Sequence, residues 1–141
     1  SALPPGRARG IAIHESFGSI VAEVAEVSLH DGQPRVHRVV CAIDCGLAIN
    51  PNGVAQQVES GVLWSLSNMK GEMTFAAGQA RESQFTDFQV ATIDETPAII
   101  ETHIVASDET APLASPNYQE GASKNHCFYR VSRNPSRVLA R

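Results

Sequence analysis

The chain has 141 residues, 43% hydrophobic and 18% charged, with a formal net charge of -4 and a pI near 5.7. That size allows one domain with a real core, and that composition excludes a disordered chain and a nucleic-acid footprint spread over the whole surface. Three cysteines argue against a disulfide scaffold, and no apolar run nears the roughly 20 residues of a membrane-spanning helix.

Residues 1–9, SALPPGRAR, read as a linker, because two prolines and Gly6 oppose regular structure. The start has no initiator Met, basic stretch or apolar stretch, so it does not read as a signal peptide but as a chain that begins inside something larger. From Gly10 the texture turns to strands. A strand is expected at about residues 10 to 16. In the next, Ser19 to Leu29, one parity carries Val21, Ala25, Val27 and Leu29, interrupted by Glu23, and the other carries Ile20, Ala22 and Val24. Two largely apolar parities predict cover on both faces over part of its length. His30-Asp31-Gly32-Gln33-Pro34 is a turn, since Asp-Gly tolerates the positive φ of a tight hairpin. Arg35 to Asp44 returns as the partner strand, with Val39, Cys41 and Ile43 on one face.

Gly46 follows that strand. Asn50-Pro51 marks a helix start, Asn as cap and Pro at the first helical position. Val54, Val58, Gly61, Val62, Leu66 and Met69 then define one buried stripe. Gln57 falls between Val54 and Gly61 and is expected on that stripe, where an unpaired amide would cost roughly 1–3 kcal/mol. Gly61 offers room for close approach of backbone or ligand. The helix, about residues 51–69, should stop at Lys70-Gly71. A second hairpin is expected over residues 72–85, then a strand from about 96 to 105 with Ile99, Glu101, His103 and Val105 alternating with Ile100, Thr102 and Ile104. The order β-β-β-α-β-β-β predicts an α+β fold, a mostly antiparallel sheet with the helix packed on it. The division is 1–9 linker, 10–107 domain and 108–141 an irregular tail, whose last 18 residues carry five basic and no acidic side chains.

No phosphate loop, GxGxxG, GxSxG or HExxH motif is present. His37, Cys41 and Cys45 are four apart, but in a strand that separates neighbours by about 13 Å. The cysteines therefore read as small core residues rather than metal ligands. His14 interrupts an apolar stretch as a candidate catalytic imidazole or, more simply, a structural one. Asp44-Cys45-Gly46 closes an apolar strand ahead of a helix N-terminus. That arrangement can offer backbone N–H groups to an anion, or serve turn chemistry alone.

Asp44-Cys45-Gly46, Asn50-Pro51 and Gln57-Val58-Glu59-Ser60-Gly61 through Leu66-Ser67 stand in the order and spacing of a D-x-G turn, an N-P helix start and a Q-x-E-G-G-x-x-x-G-L helix. In this the sequence resembles the C-terminal region of the molybdopterin-binding large subunit of the xanthine oxidase/aldehyde oxidase family, of the isoquinoline 1-oxidoreductase beta-subunit type. The runs Arg9 to Ser19 and Val36 to Ala42, and the strand through Glu101, His103, Ile104 and Val105, add to the likeness. It covers about residues 6 to 107. Ser60 and Ser65 stand where glycines are usual.

The resemblance implies part of a molybdenum hydroxylase that oxidises an aldehyde or N-heteroaromatic small molecule with water-derived oxygen. It implies molybdopterin cytosine dinucleotide as the molybdenum cofactor, iron–sulfur centres on a small partner subunit, and the rest of the same large subunit as a further partner. Nucleic acid is not implied. Gln57 matches the helix glutamine near the cofactor, with Gly61, Asp44 and Gly46 in the same motif. A catalytic glutamate is expected in a G-V-G-E-x-G motif after the last strand. Glu120-Gly121 lies at that distance with different neighbours, so Glu120 is the candidate, in a stretch that also reads as truncated, diverged or frame-shifted. On this reading the segment forms one wall of the molybdopterin pocket and is inactive alone. The rival is a non-catalytic α+β interaction module whose Gln57 is satisfied internally. Substrate and compartment, bacterial cytoplasm or periplasm, are left open.

Overall fold

A computed structural model describes residues 3–16, 18–71, 73–84 and 86–108. Three long strands, β1 (Arg7–Ser16), β2 (Ser19–His30) and β3 (Gln33–Asp44), form an antiparallel meander. Helix α1 (Pro51–Lys70) follows, then β4 (Phe75–Ala76) and β5 (Gln79–Ala80), a single 3-10 turn at Ile93–Glu95, and β6 (Ile99–Ile104). β6 returns beside β3 and runs parallel to it, giving the sheet order β1-β2-β3-β6. The α+β fold with one helix on a mostly antiparallel sheet is as the sequence predicts.

The β2–β3 turn shows why Asp31-Gly32 is there. Both residues have positive φ, 51° and 78°, as a two-residue hairpin loop requires. Further along, the register slips between Glu26 and Val27, so Glu26 faces Arg38 while Val27 faces Val36. His37 is the extra residue of this bulge, which turns Val36 onto the helix-covered side with Val39.

One face of the sheet and one face of α1 make the core. Val21, Cys41, Ile43 and Cys45 pack with Val54 and Val58, and Ala25, Val36 and Val39 pack with Val62 and Leu66. Glu23 shares this side and is 1% exposed. The other face is not covered among the described residues. Strand β1 begins at Arg7, inside the expected linker. The reason is tertiary: Arg9 donates to Glu26 from Nη2 at 2.7 Å across the β1–β2 pair. The second hairpin forms, but only as two-residue strands around Ala77-Gly78.

The end of α1 is fixed from two sides. Gly71 has an ordinary φ of -105°, so its need for glycine is steric: a Cβ there would lie 2.7 Å from Cε2 of Phe88. Gly71→Ala is expected to destabilise the fold by about 1–3 kcal/mol as the ring is pushed out. Urea denaturation checks this, and an unchanged midpoint would refute the clash. Lys70 Nζ meets both Glu95 oxygens, at 2.5 and 2.6 Å, and Thr92 donates its backbone N–H and hydroxyl to the same carboxylate.

These bonds, Lys70 first, hold the Glu95 pKa down at about 2, from an ordinary 4.5. A depressed carboxylate stabilises the fold above its unfolded pKa and loses that effect as pH falls through the folded value. Thermal melts from pH 5 to pH 2 should therefore fall more steeply for the wild type than for Glu95→Gln. Parallel curves would contradict the assignment.

Candidate functional site

The loop from β3 into α1 is built by local hydrogen bonds. Asp44 Oδ1 accepts from the Gly46 N–H at 3.1 Å, and Gly46 takes φ +66°, so the carboxylate is folded back on its own turn. That is turn chemistry, and it makes a half-buried strand end swing into the helix approach within two residues. Asn50, extended at φ -129°, caps α1 by accepting the Gly53 N–H at 3.2 Å, while Val54 N–H closes the first helical bond to Asn50 O. Pro51 has no N–H to leave unsatisfied. The first turn contains no acidic residue, so the helix N-terminus keeps its positive partial charge.

Gln57 is not on the buried stripe. It is exposed, while Val58 beside it is 0% exposed. At about 100° per residue, Gln57 sits roughly a quarter turn off the line through Val54, Val58, Val62 and Ser65. That line, not the Val54–Gly61 edge, is the centre of the packed face. No buried amide has to be satisfied within the described residues, and the inward-facing expectation is corrected. Gln57 is instead exposed in the N-terminal half of α1 together with Asn52, Gln56, Ser60 and the acidic Glu59, which lies about 200° round the helix from Gln57.

Gly61 lies on the packed side, buried with Val58 and Val62, and its carbonyl accepts from Ser65 Oγ at 2.8 Å. It therefore does not stand beside Gln57 on the open surface. Gly46 is buried and Asp44 half-buried in the turn. Glu120 lies outside the described residues.

The metal-ligand spacing of His37, Cys41 and Cys45 does not converge. The two cysteines are in the core, and His37 Nε2 is 2.8 Å from Ser28 Oγ. Burial and nearby Arg7 and Arg35 lower the His37 pKa against a smaller opposing effect of Glu26. His14 is half-buried in β1 opposite Val21.

A feature not anticipated is an ion ladder crossing all four strands. Arg9 bonds Glu26 at 2.7 Å, Arg38 stands 3.7 Å from Glu26, and Arg38 bonds Glu101 at 2.7 Å. The hydrogen bond from Arg9, then the charges of Arg9, Arg38 and Arg7, hold the Glu26 carboxyl below its usual range against the opposing effect of burial. The signal was legible as charges interrupting apolar strands, but their alignment needed the register.

A family model described as the molybdopterin cofactor-binding domain matches residues 8–97. The beta subunit of isoquinoline 1-oxidoreductase from Brevundimonas diminuta is 30% identical over 139 residues, which is 95% of this chain and 18% of that protein. A nicotinate dehydrogenase subunit of Pseudomonas putida is 32% identical over 105 residues, 66% of this chain and 9% of that protein. The solved structure of reconstituted CO dehydrogenase from Oligotropha carboxidovorans superposes with a TM-score of 0.67 at 22% identity, covering 85% of this chain and 15% of that one. The chain spans less than a fifth of the length of either curated relative.

Proposed function

The chain belongs to the molybdopterin cofactor-binding domain family, and on that basis we propose that the loop and first turns of α1 form one wall of a molybdopterin pocket in a molybdenum hydroxylase. The observation that carries this is the position of Gln57: an exposed amide on a helix whose opposite side is locked into the core, within the residues the family covers.

The residues present suit such a group. A pterin with phosphate and nucleotide offers many donors and acceptors and negative charge. The N-terminal half of α1 offers the exposed amide of Gln57, a positive helix end and no first-turn carboxylate, with Glu59 on the other side of the helix from Gln57. When bound, the cofactor supplies the molybdenum and its redox chemistry. Gln57 would donate and accept hydrogen bonds along the cofactor's polar edge, and first-turn N–H groups would balance its anionic part. The Asp44–Gly46 turn sets where that helix end stands. Gly61 acts at one remove, fixing the depth of α1 on the sheet. Glu120 is proposed as the base that activates the attacking oxygen.

The names of the relatives, an isoquinoline and a nicotinate enzyme, favour an N-heteroaromatic substrate over an aldehyde. We propose the cytosine dinucleotide form of the cofactor, iron–sulfur centres on a small partner subunit, and the remainder of a large subunit as the other wall, with the chain inactive alone. The test is metal and nucleotide analysis of the complex purified from the full coding region. About one molybdenum and one cytosine nucleotide per polypeptide are expected, as one site binds one cofactor. A folded, soluble complex lacking both would favour the non-catalytic interaction module.

A further inference from the structure

The sheet face opposite α1 is apolar and open among the described residues. Ile11 and Ile13 of β1 are 62% and 68% exposed, and Ile20 of β2 is 40% exposed. The register sets Ile11 opposite Val24, Ile13 opposite Ala22, Val24 opposite Val40 and Ala22 opposite Ala42. Directly opposed residues share a face, so these side chains form one patch across three strands. An exposed patch of β-branched residues on a sheet whose other side is already buried is the pattern of strands covered on both faces.

The border of the patch is the ion ladder. Arg9, Glu26, Arg38 and Glu101 pair within the sheet, and His103 Nε2 lies 3.7 Å from Glu101. Glu26 and Glu101 each have an arginine, whereas Glu15 and Asp44, set opposite Ile20 by the register, edge the patch on the same side. A surface closing over this face would offer apolar groups to the isoleucines and a polar or cationic group beside Glu15.

We propose that this face is the seat of an apolar layer supplied by the remainder of a longer polypeptide that carries this segment. Length points to that occupant. In the matched relatives the aligned segment is 18% and 9% of the protein. More than four-fifths of such a chain is then available in cis, at high effective concentration. Charge does not decide against a second copy, because Arg7, Arg9 and Arg38 share this face with Glu15, Glu26, Asp44 and Glu101, so that occupant is left to the experiment. The proposal rests on the large-subunit reading but not on the cofactor contact.

Hydroxyl-radical footprinting tests it. Oxidation of Ile11, Ile13 and Ile20 is measured in the 141-residue chain alone and in the polypeptide expressed from its full coding region. Leu29, 76% exposed near the hairpin end, is the internal reference. The isoleucines should react freely in the short chain and several-fold more slowly, relative to Leu29, in the long one. Ile13→Glu should lower the melting temperature of the long polypeptide and leave that of the short chain unchanged.

Equal reactivity in both overturns the proposal. So does protection already present in the short chain, whether sedimentation shows a dimer, which assigns the face to a second copy, or a monomer, which assigns it to another part of this chain. Protected isoleucines in a complex without molybdenum would sink the cofactor reading and leave this one standing.

Discussion

Replacing Gln57 by Ala in the intact complex should lower its molybdenum content and its turnover about 10- to 100-fold, the range for removing a group that orients a bound metal centre. The fold should not suffer. Gln57 is exposed, and surface substitutions away from packed features fall within about 0.5 kcal/mol. Gln56→Ala, one residue back and also exposed, is the control and should keep its metal. The pair separates a ligand contact from a general need for polar residues on that turn. Equal loss in both, or in neither, removes Gln57 from the pocket wall.

The largest effect on stability is expected at Ile43. It is 0% exposed and sits where β3, β2 and α1 meet, with Val21, Cys41, Val54 and Val58 around it. Ile43→Ala leaves a cavity that neither the sheet ladder nor the helix can close, at a cost of about 2–5 kcal/mol. A domain of this size has roughly 5–15 kcal/mol in total, so much of its stability would go. Guanidinium denaturation gives the number. A loss below about 1 kcal/mol would mean the site collapses or is not packed as described.

Much of this architecture was written locally. Asp31-Gly32 specifies a two-residue hairpin because both residues tolerate positive φ, and Asn50-Pro51 specifies a helix start by cap and preset φ. The steps Val54, Val58, Val62 and Leu66 specify the packed face. The placement of Gln57 failed because a stripe drawn through Val54 and Gly61 has its centre in the wrong place. The sheet fixes that centre at Val58, which only tertiary packing reveals. The strand at Arg7 was missed for the same kind of reason, since Arg9 is held in β1 through Glu26 on the next strand.

Non-local pairing was the other blind spot. The segment Ile99–Ile104 was legible as a strand, but its parallel seat against β3 depends on how the connection through α1 returns. The bulge at Glu26 and Val27 and the four-strand ladder follow from register, which has no signature in any single strand. Of the cover expected on both faces of β2, the described residues supply one side, that of α1. Of the site, the motif residues were legible in order and spacing. Their separation into an exposed Gln57, a turn at Asp44–Gly46 and a packed Gly61 was not.

Everything proposed for the site depends on the β3–α1 loop and the first turns of α1 facing a bound molybdopterin. Hydrogen–deuterium exchange on the intact complex, prepared with cofactor and in a host unable to make it, measures this directly. Peptides spanning residues 46–57 should exchange markedly more slowly in the loaded complex, while those spanning the β2–β3 turn at Asp31 and Gly32 should not change. Identical exchange over 46–57 in the two preparations would contradict the pocket-wall assignment.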